Sequence, residues 1–206
     1  KEEFEKHAFI SSLVEVDPIF SKRERLFLSR TEAYKQSLRK SLRFKQICDE
    51  RKLGDYDRAL LRMYIDEQLP ISLHFVMFIP TLMGQGTAEQ QAKWLPLARE
   101  MRILGTYAQT ELGHGSFIRG LETTATYLPE TQEFELHSPT VTSTKWWPGC
   151  LGKTSTHAVV MARLITQGED RGPHAFIVQL RSLENHMPLQ GITVGDIGPK
   201  FGYTTN

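Results

Sequence analysis

Near residue 101 the hydrophobic pattern changes its period, so no fold of a single texture can hold the whole chain. Before that point apolar residues recur every three or four positions, the helical spacing. After it they alternate with polar residues or run in short β-branched stretches, the spacing of strands. The expected class is therefore α+β: an N-terminal α-helical domain over residues 1–101, then an antiparallel β module over 102–206.

Phe4, Ala8, Phe9, Ile10 and Leu13 form a helical stripe over residues 3–14. Asp17-Pro18 stops it, because the residue before a proline avoids the α region. Ser29-Arg30-Thr31-Glu32 spells a capping box that opens a second helix, with Tyr34, Leu38, Leu42 and Ile47 as its apolar stripe. A third helix carries Ala59, Leu60, Met63 and Tyr64, and Pro70 ends it. Residues 71–83 are apolar nearly all round and read as a buried helix. Thr87-Ala88-Glu89-Gln90 is a second capping box, opening a helix through Trp94 and Leu97. In the second half, residues 121–127 and Phe134–Leu136 read as a hairpin around Leu128–Gln132. Residues 158–165 and 175–180 read as another, with its tip at Gln167–Pro173.

Composition narrows the function classes. The formal net charge is +1, and basic and acidic residues balance in both halves. No basic arm favours nucleic acid or anionic lipid. Lys35, Arg39, Lys40, Arg43 and Lys45 read as a solvated helix face, since no aromatic residues interleave for base stacking. No apolar run reaches the roughly 18 residues of a membrane helix. Two cysteines, Cys48 and Cys150, make no disulfide framework and fit a reducing compartment. Of seven histidines none pair at the i, i+4 spacing of a helical metal site, so no metal is expected. Neither a nucleophile elbow nor a phosphate loop is present. The chain starts at Lys1 rather than Met, and a portion of a longer protein is the expectation.

Two segments carry candidate chemistry. In Gly105–Ser116, glycines flank His114 and let the backbone approach a ligand closely, while Thr and Gln side chains suit the edge of a planar polar ring. In Lys145–Lys153, Trp146 and Trp147 are adjacent. On a strand they would face opposite ways, one toward the core and one toward a ligand.

Four stretches in order, Gly105–Gly115 (GTYAQTELGHG), Gly120–Tyr127 (GLETTATY), Thr144–Gly149 (TKWWPG) and Gly195–Gly202 (GDIGPKFG), resemble the peroxisomal acyl-CoA oxidases, a branch of the acyl-CoA dehydrogenase family. The resemblance is dense over residues 101–206 and looser through the helices, and it implies that 1–101 is the family's N-terminal α domain and 102–206 an antiparallel, β-barrel-like middle domain, truncated here. It implies an FAD-dependent oxidation of fatty acyl-CoA to trans-2-enoyl-CoA, with O₂ reduced to H₂O₂. This is the first step of peroxisomal β-oxidation, carried out by a homodimer. It implies that Thr110, Gly149 and Trp146 contact the flavin and that Ser116, where oxidases often carry Thr, contacts the acyl-CoA. Cys150 stands where Gly or an acidic residue is expected. The family's catalytic Glu belongs to C-terminal helical domains, so no catalytic residue is assigned here, and no peroxisomal Ser-Lys-Leu address is visible. Two alternatives stay open: an acyl-CoA dehydrogenase that passes electrons to a partner protein, and a non-catalytic family member that binds partners or acyl-CoA.

Overall fold

The computed structural model describes residues 1–201. The last glycine of the fourth stretch, Gly202, and the closing Tyr203–Asn206 lie outside the described residues. The chain divides into two compact units, Lys1–Pro70 with the described residues from Gly198, and Ile71–Ile197.

The first unit is built on α1 (Glu2–Glu15), α2 (Arg30–Glu50) and α3 (Asp55–Ile65). The capping box forms as its spelling requires: the Ser29 N–H donates to Glu32 Oε2 at 2.8 Å, and the Glu32 N–H donates to Ser29 Oγ at 3.3 Å. The buried face of α2 differs from the expected stripe. Leu38 and Leu42 are exposed, and the inward residues are Ser37, Lys40, Ser41, Phe44, Ile47 and Cys48. Lys40 is part of no solvated face either. Its side chain is 1% exposed and donates to Glu67 Oε1 at 2.6 Å and to the Ser21 carbonyl at 3.3 Å. An ammonium is buried only where such partners replace water. Ser37 and Ser41 are buried beside it, the Ser41 hydroxyl donating to the Ser37 carbonyl at 2.7 Å, which a count of apolar residues does not register.

The second unit begins with a helical run that widens to i→i+5 turns over His74–Phe78 and tightens into α4 (Ile79–Gln85). It is buried on one side only: His74, Phe78 and Leu82 face in, while Val76, Met77 and Met83 are exposed. The second capping box opens α5 (Ala88–Arg99). Both helices cover the sheet through a cluster of Phe78, Leu82, Ala98, Ile103 and Val159. The change from helix to strand and the division between compact units therefore lie at different places. No helix among the described residues is long and apolar enough to cross a membrane.

The sheet contains β1 (Gly105–Ala108), β2 (Thr124–Leu128), β3 (Glu133–His137), β4 (His157–Thr166) and β5 (Glu169–Gln179). It is mixed rather than wholly antiparallel, which corrects the expectation. The β2–β3 and β4–β5 hairpins are antiparallel. However, β1 and β2 both run parallel to β4: Gly105–Ala108 lie opposite His157–Val160, and Thr124–Thr126 opposite Arg163–Ile165. Short loops force antiparallel pairing, whereas the long connections on either side of the β2–β3 hairpin allow a parallel return. The sheet also curls. Three strand spacings of about 4.8 Å would separate β3 from β5 in a flat sheet, yet the Phe134 and Phe176 rings are 5.3 Å apart. The β4–β5 turn is shorter than expected. Only Gln167 (φ +53°) and Gly168 (φ +76°) form it, as the twist of a two-residue hairpin demands. Pro173 is tolerated in β5 because it lies on an outer strand.

Candidate functional site

Gly105 opens β1 against Phe78, and a Cβ built there would lie 2.1 Å from Phe78 Cγ, so only glycine fits. Beyond β1 the chain stays extended and pairs with the third stretch. Glu111 and Lys145 are antiparallel partners; the Trp146 N–H donates to the Thr110 carbonyl at 2.9 Å, and the Leu112 N–H to the Thr144 carbonyl at 2.9 Å. Thr110 and Trp146 are thus brought side by side, on the face opposite Glu111 and Lys145. Gly113 allows the closest approach. Its Cβ would lie 3.1 Å from Thr142 Cβ.

Of the four residues singled out from the sequence, three reach one partly open surface. Thr110 is half-buried, Trp146 is 37% exposed, and Ser116 is exposed on the turn whose Gly115 packs against Thr110 Cγ2. Gly149 differs: it is buried, and its carbonyl accepts from Thr106 Oγ1 at 2.5 Å. The tryptophans do not alternate on a strand. Trp147 takes a positive φ of 53° and is 63% exposed, so neither ring is wholly in the core.

Beneath this surface sits a polar floor. Glu111 is buried. Its Oε2 accepts from the Glu122 N–H at 2.8 Å, and its Oε1 accepts from the Thr123 N–H at 2.9 Å and from Lys145 Nζ at 3.0 Å. Burial pushes the Glu111 carboxyl up, but the donors from Glu122, Thr123 and Lys145 outweigh it and hold it below its ordinary range. Burial also lowers Lys145, against the pull of Glu111. The first three stretches of sequence therefore meet at one carboxylate.

The fourth stretch meets the loop after Gly149. A Cβ on Gly152 would lie 2.9 Å from the Gly195 carbonyl, and Lys153 pairs with Asp196 at 3.1 Å. Arg181 clamps the same loop, donating to the carbonyls of Leu151 (2.8 Å), Ser155 (2.6 Å) and Gly152 (2.9 Å). No sequence signal marks Arg181 for this role, whereas Glu111 is marked by a charge amid residues otherwise suited to a buried strand. Cys150 is buried and its thiol is pushed up to about 11 by desolvation, so it is no nucleophile.

The residues fit an isoalloxazine ring: the Thr110 hydroxyl for its polar edge, and the Trp146 indole for its face.

The family model for the acyl-coenzyme A oxidase N-terminal region matches residues 1–104. Peroxisomal acyl-coenzyme A oxidase 1 of Arabidopsis thaliana is 58% identical over 203 residues, covering 96% of this chain and 30% of the relative. The protein of the same name from Rattus norvegicus is 52% identical over 200 residues, covering 94% and 30%. The crystal structure of an acyl-CoA oxidase from tomato matches with a TM-score of 0.96 at 58% identity, covering 98% of this chain and 31% of that one. Acyl-CoA oxidase-2 of Caenorhabditis elegans, solved with FAD, ascaroside-CoA and ATP, matches with a TM-score of 0.90 at 43% identity, covering 100% and 32%. The chain thus spans about 30% of the length of these relatives, and, matched by the family model over half of its own length, it belongs to the acyl-CoA oxidase family.

Proposed function

We propose that this chain supplies the flavin-facing and acyl-facing surfaces of a peroxisomal acyl-CoA oxidase, active as a homodimer on fatty acyl-CoA. Residues 1–101 serve as its N-terminal α domain and residues from 102 as its middle β domain. The observation that carries the reading is the pairing of Thr110 with Trp146 on a partly open face, in a chain more than half identical to named oxidases. FAD, when bound, supplies the capacity to take hydride from the acyl chain and to reduce O₂ to H₂O₂.

The chain's own residues bind and orient. Thr110 offers its hydroxyl to the polar edge of the ring. Trp146 covers one face and keeps water from it. Ser116 donates to the acyl-CoA from the adjoining turn. Gly149 holds its turn through the bond from Thr106 rather than by presenting its carbonyl outward.

The test is the absorbance spectrum of the purified chain after incubation with FAD and gel filtration. A retained band near about 450 nm, the flavin's own absorption, is the expected result; acyl-CoA-dependent formation of H₂O₂ is not expected of this chain by itself, since no residue in it is assigned as the base. Loss of the flavin on the column would favour a second reading, partner binding without turnover. Exposed Phe117 and Trp147 beside the surface support that reading.

A further inference from the structure

We infer that Glu111 and Lys145 form a positioning pair: buried behind the candidate flavin surface, they hold Thr110 and Trp146 in register on its open side. The inference rests on the function proposed above and names residues that this function has not yet used.

The geometry argues it in three steps. In extended antiparallel chains, partners on one face set the partners on the other, because successive side chains alternate. Glu111 and Lys145 are direct cross-strand partners, so Thr110 and Trp146 are the next pair along, facing the other way. Second, this pairing is an isolated bridge rather than part of a long ladder. A short pairing has weak register unless side chains pin it. Third, the pins are charge-assisted and reach three segments. The Glu111 carboxylate takes the N–H groups of Glu122 and Thr123 at the entry to β2, and Lys145 Nζ reaches both that carboxylate and the Gln109 carbonyl at 3.1 Å. The side chain of Glu111 is wholly buried and that of Lys145 is 11% exposed, so water does not loosen the pair. Other charged groups nearby are engaged elsewhere: the Glu122 carboxylate accepts from Thr140 and Thr142, and the His114 ring bonds the Gly120 carbonyl.

Neither residue touches the surface where the ring would lie, so both act through Thr110 and Trp146. The test uses the whole chain with FAD as the probe. Flavin affinity is read by fluorescence titration and ring environment by visible circular dichroism, with denaturant midpoints measured alongside. Three variants are compared: Glu111→Gln, Lys145→Met and the two together. The double variant leaves no lone buried charge and is expected to keep a midpoint near that of wild type. Lys145→Met leaves the carboxylate its two backbone donors and gives a second foldable form.

A positioning role has all three variants binding FAD about tenfold more weakly or worse, with the induced dichroism reduced, even where the midpoint recovers. A double variant with wild-type affinity and dichroism would overturn the inference, since the pair would then serve only stability. Equal flavin binding by wild type and Glu111→Gln would overturn it too, leaving the proposed function intact. No saturable flavin signal from the wild-type chain would overturn the proposed function, and this inference with it.

Discussion

His74 shows how one side chain joins two elements. Its Nε2 lies 2.9 Å from the Ala98 carbonyl at the end of α5, and its Nδ1 accepts the Gly105 N–H at 2.9 Å at the start of β1. Both bonds together require the neutral ring with its proton on Nε2. Burial lowers its pKa to about 4, against the pull of the Ala98 carbonyl. Between pH 6.5 and about 4 the unfolded chain takes up a proton that the folded chain refuses. The stabilisation is complete above pH 6.5, is lost progressively as the pH falls through that window, and levels off below it. Its extent is about 3 kcal/mol. Denaturant midpoints measured against pH should fall more steeply for wild type than for His74→Gln; parallel curves would count against the assignment. Glu111 adds a loss at lower pH, since its folded carboxyl titrates below its ordinary range.

At the level of elements, features set by near neighbours are legible in the sequence and those set by distant partners are not. Both capping boxes form between the residues that spell them, because the partners are three positions apart and depend on nothing else. Both hairpins also form, the second around a tighter turn than its polar loop suggests. Two features turn on a distant partner. The inward face of α2 turns on Lys40 meeting Glu67. The parallel pairings of β4 turn on connections that carry no turn signal. At the candidate surface, Thr110, Trp146 and Ser116 stand out in the sequence and Glu111 is marked by its charge, while the donors that gather on Glu111 and the buried setting of Gly149 carry no local signal. The loop from Leu151 to Ser155 is the clearest such case, since Arg181 holds it from 26 positions away. Arg181→Met keeps the apolar stem and strips the carbonyls of Leu151, Gly152 and Ser155 of their donor. A loss of roughly 3 kcal/mol is expected, with faster hydrogen exchange at the Thr154 and Ser155 amides, which bond the Cys150 carbonyl. Unchanged exchange at those amides would show that the loop holds itself.

At the scale of the whole molecule, the outer strands govern behaviour in solution. Among the described residues β3 pairs only with β2, and β5 only with β4. Phe134 on β3 is also exposed. Open edges of this kind recruit further strands. The purified chain is expected to self-associate at micromolar concentration, and light scattering that reads a single stable monomer would contradict this. The same sheet has a consequence for biosynthesis. Both β1 and β2 line one edge of β4, and the contact that seats β1, from the Leu104 N–H to Thr156 Oγ1, closes over 52 residues. A chain emerging from its N-terminus exposes β1, then the β2–β3 hairpin, with no template for either. Only when β4 arrives do β1 and the β2–β3 hairpin find their places. Until then the half-made sheet is a set of sticky ribbons, and the moment of greatest risk falls just before residue 157 leaves the ribosome.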